Sequence, residues 1–209
     1  MFTNSLVMRR GFVAVAIATG LALSACGGAG SSDSGMNHGS GMATGEDPST
    51  TAQATFNDAD VMFAQMMIPH HTQAVEMADM AATRAADGEV KALAARIRQA
   101  QEPEIRTMTD WLSRWGRPAA SPGAGMNHGG SPMPGEMSEV DMKALTAASG
   151  TAFDKQFLTM MVAHHEGAIT MARQEMAQGS NQDATALAAR IVQDQQAEIT
   201  EIDNLLRRL

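Results

Sequence analysis

All six histidines of the chain stand in methionine-containing contexts that occur twice. His70 and His71 follow Met66 and Met67 by four positions, and His164 and His165 follow Met160 and Met161 in the same way. The other two lie in a second repeated element, Met36-Asn37-His38-Gly39 and Met126-Asn127-His128-Gly129. Thioether sulfur is a soft neutral ligand and imidazole an intermediate one. Together they suit Cu(I) first, with Ag(I) or Cu(II) as further guests, and serve Mg²⁺, Ca²⁺ or Fe³⁺ poorly. The candidate ligands are therefore Met66, Met67, His70, His71 and Met77, with Met160, Met161, His164, His165 and Met171. Met36, His38, Met126 and His128 are weaker candidates, because a flexible site loses entropy when it closes on an ion.

Catalytic patterns are missing around these residues. Glu166 follows His165 but leads into Gly167, Ala168 and Ile169, so the His-Glu-x-x-His pattern of zinc proteases is not formed. The Glu-x-x-His pairs of carboxylate-bridged di-iron bundles are not present either. No nucleophile, base and orienting acid stand together, and there is no Gly-rich phosphate loop. The residues point to a metal-binding protein that is not an enzyme. Two other readings share the same residues: a metal-dependent oxidase or hydrolase, and a bundle whose methionines are adaptable core filling and whose histidines bind nothing.

On a helix, at about 100° per residue, Met66, Met77 and His70 fall together on one side of a stripe of Phe63, Ala74 and Ala81, and His71 with Ala78 on the other. The histidines are expected to flank the buried stripe, each one turn beyond its methionine, so that Met66 with His70 and Met67 with His71 can converge. The two histidines diverge by about 100°, so they need not hold one ion. Small Ala74, Ala78, Ala168 and Ala172 let facing helices approach. Gln99, Gln101 and Glu104, matched by Gln193, Gln195 and Glu198, are candidates to orient the imidazoles by hydrogen bonding. Glu76 and Glu166 read as solvated.

The elements that must hold these residues are duplicated. Shifting the sequence by 94 residues aligns Asp60–Leu112 with Asp154–Leu206 without a gap, with 20 identities in 53 positions. Such self-similarity marks an internal repeat. Each copy reads as two helices, over 58–86 and 89–115 and again over 152–178 and 183–208. Asn57 with Asp60 and Thr151 with Asp154 are predicted as N-caps with first-turn acids, and Ser138 with Asp141 as the cap of a short extra helix. Gly88, Gly179, Gly116 and Pro118 mark helix ends. Pro69 and Pro103 lie inside predicted helices and are expected to kink them or be accommodated locally; their counterparts Ala163 and Ala197 show that the bundle does not require a proline. An isolated hairpin of this size has too little core, and two together make an all-α four-helix bundle of two tandem αα-hairpins. The bundle spans 56–209, with repeat one at 56–115, a Gly/Pro-rich linker at 116–137 and repeat two at 138–209.

Ahead of the bundle, residues 1–25 read as a lipoprotein signal peptide. Arg9 and Arg10 precede the apolar run Gly11–Leu23, and Leu23-Ser24-Ala25-Cys26 resembles a lipobox, which makes Cys26 the lipidated N-terminus. Arg9-Arg10-Gly11-Phe12-Val13 also has some likeness to a twin-arginine signal, which leaves the export route open. Residues 26–55 are Gly/Ser/Thr/Ala-rich and read as a disordered tether. The expected location is extracytoplasmic, anchored to the cell membrane by lipid. Cys26 is the single cysteine, so neither a disulfide nor, once acylated, a thiolate ligand is available. Removing residues 1–25 takes two arginines from 15 basic against 23 acidic residues, leaving 13 against 23, or net −10. Nucleic acid is excluded as a partner on that balance.

The two motifs, Met66-Met67-Ile68-Pro69-His70-His71-Thr72-Gln73-Ala74 with Met77-Ala78 and Met160-Met161-Val162-Ala163-His164-His165-Glu166-Gly167-Ala168 with Met171-Ala172, resemble those of the bacterial "domain of unknown function 305" family. The resemblance covers roughly residues 56–209. It implies a ferritin-like four-helix bundle and export. It also implies kinship with CopM-like members that bind copper and support copper tolerance, with metal ions and other copper-handling envelope proteins as partners.

Overall fold

The computed structural model describes residues 55–119 and 133–209. They form five helices: α1 Asp58–Arg84, α2 Gly88–Arg114, α3 Glu139–Ala147, α4 Gly150–Gln178 and α5 Gln182–Leu206. Helices α1 with α2 and α4 with α5 are antiparallel hairpins, and the hairpins meet chiefly along α1 and α4. The expected four-helix bundle of two tandem hairpins is what the chain forms, with α3 as the extra short helix. The signal peptide, most of the tether, Cys26, Met36, His38, Met126 and His128 lie outside the described residues. Among the described residues no helix is long and apolar enough to cross a membrane.

Local chemistry sets the helix ends. Asn57 caps α1 by accepting from the N–H groups of Ala59 and Asp60, while Asp60 returns a bond to the Asn57 N–H, a reciprocal capping box. Ser138 and Asp141 repeat this at α3. Asp87 and the equivalent Asn181 cap α2 and α5. Gly116, at φ +64, ends α2 in the left-handed conformation, and the Arg117 N–H donates to the Leu112 carbonyl. Pro69 and Pro103 sit within continuous helices.

One expected cap is corrected. Helix α4 begins at Gly150, whose φ of +63 turns the chain into the helix from Ser149. Thr151 already lies in the first turn and cannot cap it, and the Asp154 carboxylate is directed elsewhere. Its oxygens accept from the backbone N–H groups of Ala86 and Asp87 in the α1–α2 turn at 3.1 and 3.0 Å. Asp60 does the same for the other repeat, accepting from the N–H groups of Ser180 and Asn181 in the α4–α5 turn at 3.2 and 3.0 Å. Each repeat thus supplies the carboxylate that ties the turn of the other. Both acids are fully buried, and both satisfy backbone donors that burial would otherwise leave orphaned.

The apolar interior falls into two clusters along the bundle. One joins Met77, Ala78 and Ala81 of α1 to Phe153, Phe157 and Met161 of α4, with Leu145 of α3. The other joins Phe63, Ala64 and Met67 to Ala168, Met171 and Ala172. Because α1 and α4 run in opposite directions, the start of each meets the end of the other. The residues between the clusters on both helices are the histidine pairs.

Candidate metal centre

The four histidines form a polar layer where the two apolar clusters meet. They do not flank the buried stripe as the single-helix projection suggests. His70 is 1% exposed and His71, His164 and His165 are 0% exposed. The facing α1 and α4 backbones enclose both sides of the layer, which a projection of one helix does not register. The His70 and His164 rings lie face to face across the hairpin junction, with centroids 3.7 Å apart and planes tilted by 33°.

The second helices complete the layer. Glu104 Oε2 lies 2.7 Å from His71 Nε2, and Glu198 Oε2 lies 2.7 Å from His165 Nε2. A carboxylate only accepts, so each Nε2 carries the hydrogen, and the Nδ1 of each ring is buried without a hydrogen-bond partner. A carboxylate behind the far nitrogen is the arrangement that orients an imidazole ligand and raises its basicity. Gln101 and Gln195, three residues before Glu104 and Glu198 on the same helices, are buried as well. Gln99 and Gln193, expected to help orient the rings, face solvent instead, as do Glu76 and Glu166.

His70 and His164 differ, although they are equivalent in the repeat. His70 Nε2 donates to the carbonyl of Pro134 at 3.1 Å, whereas both ring nitrogens of His164 lack a partner. The cause is a strap formed by residues 133–137, the end of the segment read from sequence as a linker. Gln73 of α1 holds it with two bonds: the Met137 N–H donates to Gln73 Oε1 at 2.8 Å, and Gln73 Nε2 donates to the Met137 carbonyl at 2.9 Å. On α4 the strap rests on Gly167, where a Cβ would stand 2.0 Å from the Pro134 carbonyl oxygen. Gly135, at φ +74, makes the matching turn. Gln73 and Gly167 are equivalent in the 94-residue shift and differ. That mismatch within an otherwise repeated motif was the available sequence signal for the strap.

Burial, and then the neighbouring His71, push His70 down to about 3. Burial, followed by His70, His165 and His71, pushes His164 well below the ordinary histidine range. Both are neutral at pH 7. Nine buried side-chain atoms among the described residues lack a hydrogen-bond partner, and five belong to these four histidines: Nδ1 of His70, His71, His164 and His165, and Nε2 of His164. An orphaned buried polar atom costs about 1–3 kcal/mol, and so many in one layer point to something that binds there. Five partnerless imidazole nitrogens, four of them Nδ1 atoms, fit a borderline or soft cation. Among the described residues no group of three or more His, Cys, Asp or Glu side chains is placed to hold a metal ion. The two imidazoles in ring contact are those of His70 and His164.

Of the candidate thioethers, Met67, Met77 and Met161 are 0% exposed, Met171 6% and Met160 8%. Met67 and Met171 belong to one apolar cluster, and Met77, Met160 and Met161 to the other, so thioethers border the histidine layer on both sides. Met66 is only partly buried and faces a surface cavity together with Met171. Sequence reasoning missed Met62, on the same cavity, because its counterpart Gln156 breaks the repeat.

It also missed Glu175, whose carboxyl is 2% exposed and faces Asp60. Burial, and then the Asp60 carboxyl, push Glu175 up to about 8. Burial would raise Asp60 too, but the Glu175 carboxyl beside it and the bonds from the backbone of Asn57, Asn181 and Ser180 outweigh this and hold it below its ordinary value. Between an unfolded value of 4.5 and about 8, folded Glu175 keeps a proton that the unfolded chain has released. Its contribution is therefore present below pH 4.5 and is lost as pH rises through about 8. Glu175→Gln, neutral throughout, should melt at least about 2–4 °C above the wild type at pH 9, the equivalent of roughly 1 kcal/mol. At pH 4 the two should melt together. Equal melting curves at both pH values would show that Glu175 is not a buried neutral acid.

A duplicated helical hairpin closed around a buried imidazole layer is the class that fold and site define. The sequence pattern of the family described as "Domain of unknown function (DUF305)" matches residues 60–206, and the chain belongs to that family. Among solved structures it is similar to a DUF305 protein from Streptomyces coelicolor, at 34% identity and a TM-score of 0.66, covering 72% of this chain and 93% of that one. It is also similar to CopM in the Cu(I)-bound form, at 31% identity and a TM-score of 0.60, covering 71% of this chain and 96% of that one. CopM in the Cu(II)-bound form matches at 32% identity and a TM-score of 0.62, covering 71% and 96%. No curated protein matches.

Proposed function

We propose that the protein is an exported, lipid-anchored copper-binding protein that sequesters copper or hands it on, serving copper tolerance or homeostasis, and that it is not an enzyme. The observation that carries this reading is the buried layer in which all four Nδ1 atoms lack a hydrogen-bond partner. Paired imidazoles bordered by thioethers suit Cu(I), with Cu(II) and Ag(I) as further guests. Similarity to CopM, solved with Cu(I) and Cu(II) bound, supports the choice of metal. Histidines that are at most 1% exposed admit an ion through local opening but not an organic substrate, which supports binding over catalysis. The lipobox at Leu23–Cys26 supports lipid anchoring, and a related chain described as a candidate secreted protein supports an extracytoplasmic location.

The test is competition for Cu(I) between the full chain and a chromophoric chelator. Sub-micromolar affinity is expected, falling by at least about 100-fold when His70, His71, His164 and His165 are replaced by Ala. Glu104→Gln with Glu198→Gln keeps the shape and removes the charge behind each ring, and should cost about 10-fold, at the lower end of what loss of an orienting partner costs. Unchanged affinity in both variants would exclude the layer as the copper site.

A further inference from the structure

Where the first turns of α1 meet the last turns of α4, a cavity of about 250 Å³ opens on the bundle surface. Its lining includes Met62, Met66, Met171 and Phe63, together with the acidic residues Asp58 and Glu175. No histidine and no basic residue lines it. Met62 is 40% exposed, which is unusual for so apolar a side chain, and Met66 is partly exposed. Glu175 is 2% exposed, and neither carboxyl oxygen has a hydrogen-bond partner of good geometry.

The repeat provides an internal control. Met66 and Met171 correspond to Met160 and Met77, which are buried in the apolar cluster that also contains Leu145 of α3. Met137 and Met142 pack against the same cluster. There the equivalent of Met62 is Gln156 and the equivalent of Glu175 is Ala81. Core filling explains Met160 and Met77. It does not explain a third, solvent-facing methionine placed beside Met66 and Met171 on the side that α3 leaves open.

We propose that Met62, Met66 and Met171 form a second metal site, a solvent-facing thioether site for a soft monovalent cation, Cu(I) or Ag(I), separate from the histidine layer. The three sulfurs, rather than the Asp58 and Glu175 carboxyls that share the cavity, set a preference for a soft cation over Zn²⁺ and Cu²⁺, which favour imidazole or carboxylate donors. The site rests on the copper reading above but uses none of the histidines, so the two can fail independently.

The probe is Ag(I), added to the full chain labelled with ¹³C at the methionine methyls. The methyl signals of Met62, Met66 and Met171 should shift together at the first equivalents. Met62→Gln, which installs the residue found in the other repeat at an exposed position, should weaken this response about 10-fold and leave the histidine ring signals responsive. Met62→Leu with Met66→Leu and Met171→Leu, close in volume, should lower the bound stoichiometry by one ion. Histidine rings that respond to Ag(I) while these three methyls stay unmoved would overturn this proposal alone. No response from either group would overturn both.

Discussion

Acidified from pH 7 to pH 4, the metal-free protein should lose a large part of its stability, because His70 and His164 are buried neutral. An unfolded histidine binds its proton near 6.5, whereas folded His70 holds out to about 3. The stabilisation it contributes is complete above pH 6.5 and is lost as pH falls towards 3, where the unfolded chain binds more protons than the folded one. At 1.36 kcal/mol per unit, His70 alone accounts for on the order of 3 kcal/mol at pH 4, and His164 shifts in the same direction. Against a typical total of about 5–15 kcal/mol this is a large fraction. Helical circular dichroism followed through an acid titration should show a midpoint that moves to lower pH in His164→Leu. Bound copper should move it the same way, since the metal competes with protons for the ring nitrogens. A midpoint indifferent to His164 would mean that the layer is solvated.

Gly167→Ala should disturb the site more than any other single methyl group. The new Cβ would meet the Pro134 carbonyl oxygen at 2.0 Å and the Gly135 nitrogen at 2.7 Å, backbone atoms that cannot yield without moving the strap. When the strap lifts, His70 Nε2 loses its acceptor and Gln73 its two partners, at about 1–3 kcal/mol for a buried donor left unmatched. Hydrogen exchange at Met137 should accelerate, and the whole protein should be roughly 2 kcal/mol less stable. Gly88→Ala is the control: nothing lies within 4 Å of a Cβ there, and the position opens a helix, so that variant should be neutral or slightly stabilised. Protection at Met137 unchanged in Gly167→Ala would show that the strap does not depend on this contact.

The 94-residue shift placed both hairpins, and the capping pattern at Asn57 and Ser138 marked the starts of α1 and α3, because a cap is a local transaction between neighbours. It failed at Thr151, where a glycine one residue earlier had already turned the chain. Contacts made across the repeat were illegible for the same reason. Asp60 and Asp154 read as first-turn acids, and nothing within one helix reveals that they bind turns 120 and 67 residues away. Helical periodicity put the histidines at the edge of a stripe, since it describes one cylinder and not the second that closes over it. The strap was hidden by composition: Pro134 and Gly135 belong to a stretch whose residues look like a spacer, and only Gly167 opposite Gln73 records its presence. Met62 escaped because a search for duplication finds what is shared, and the surface cavity is built from what is not.

The exchange of carboxylates between repeats bears on how the chain came to be built. A single hairpin carrying an acid at the position of Asp60 would have an unsatisfied turn and an unused carboxylate, and an identical neighbour related by a two-fold axis would meet both needs at once. The bundle thus has the logic of a symmetric dimer joined into one polypeptide. Within one chain the two halves need not match, and they do not: one face carries a strap and a covering helix, and the other is open.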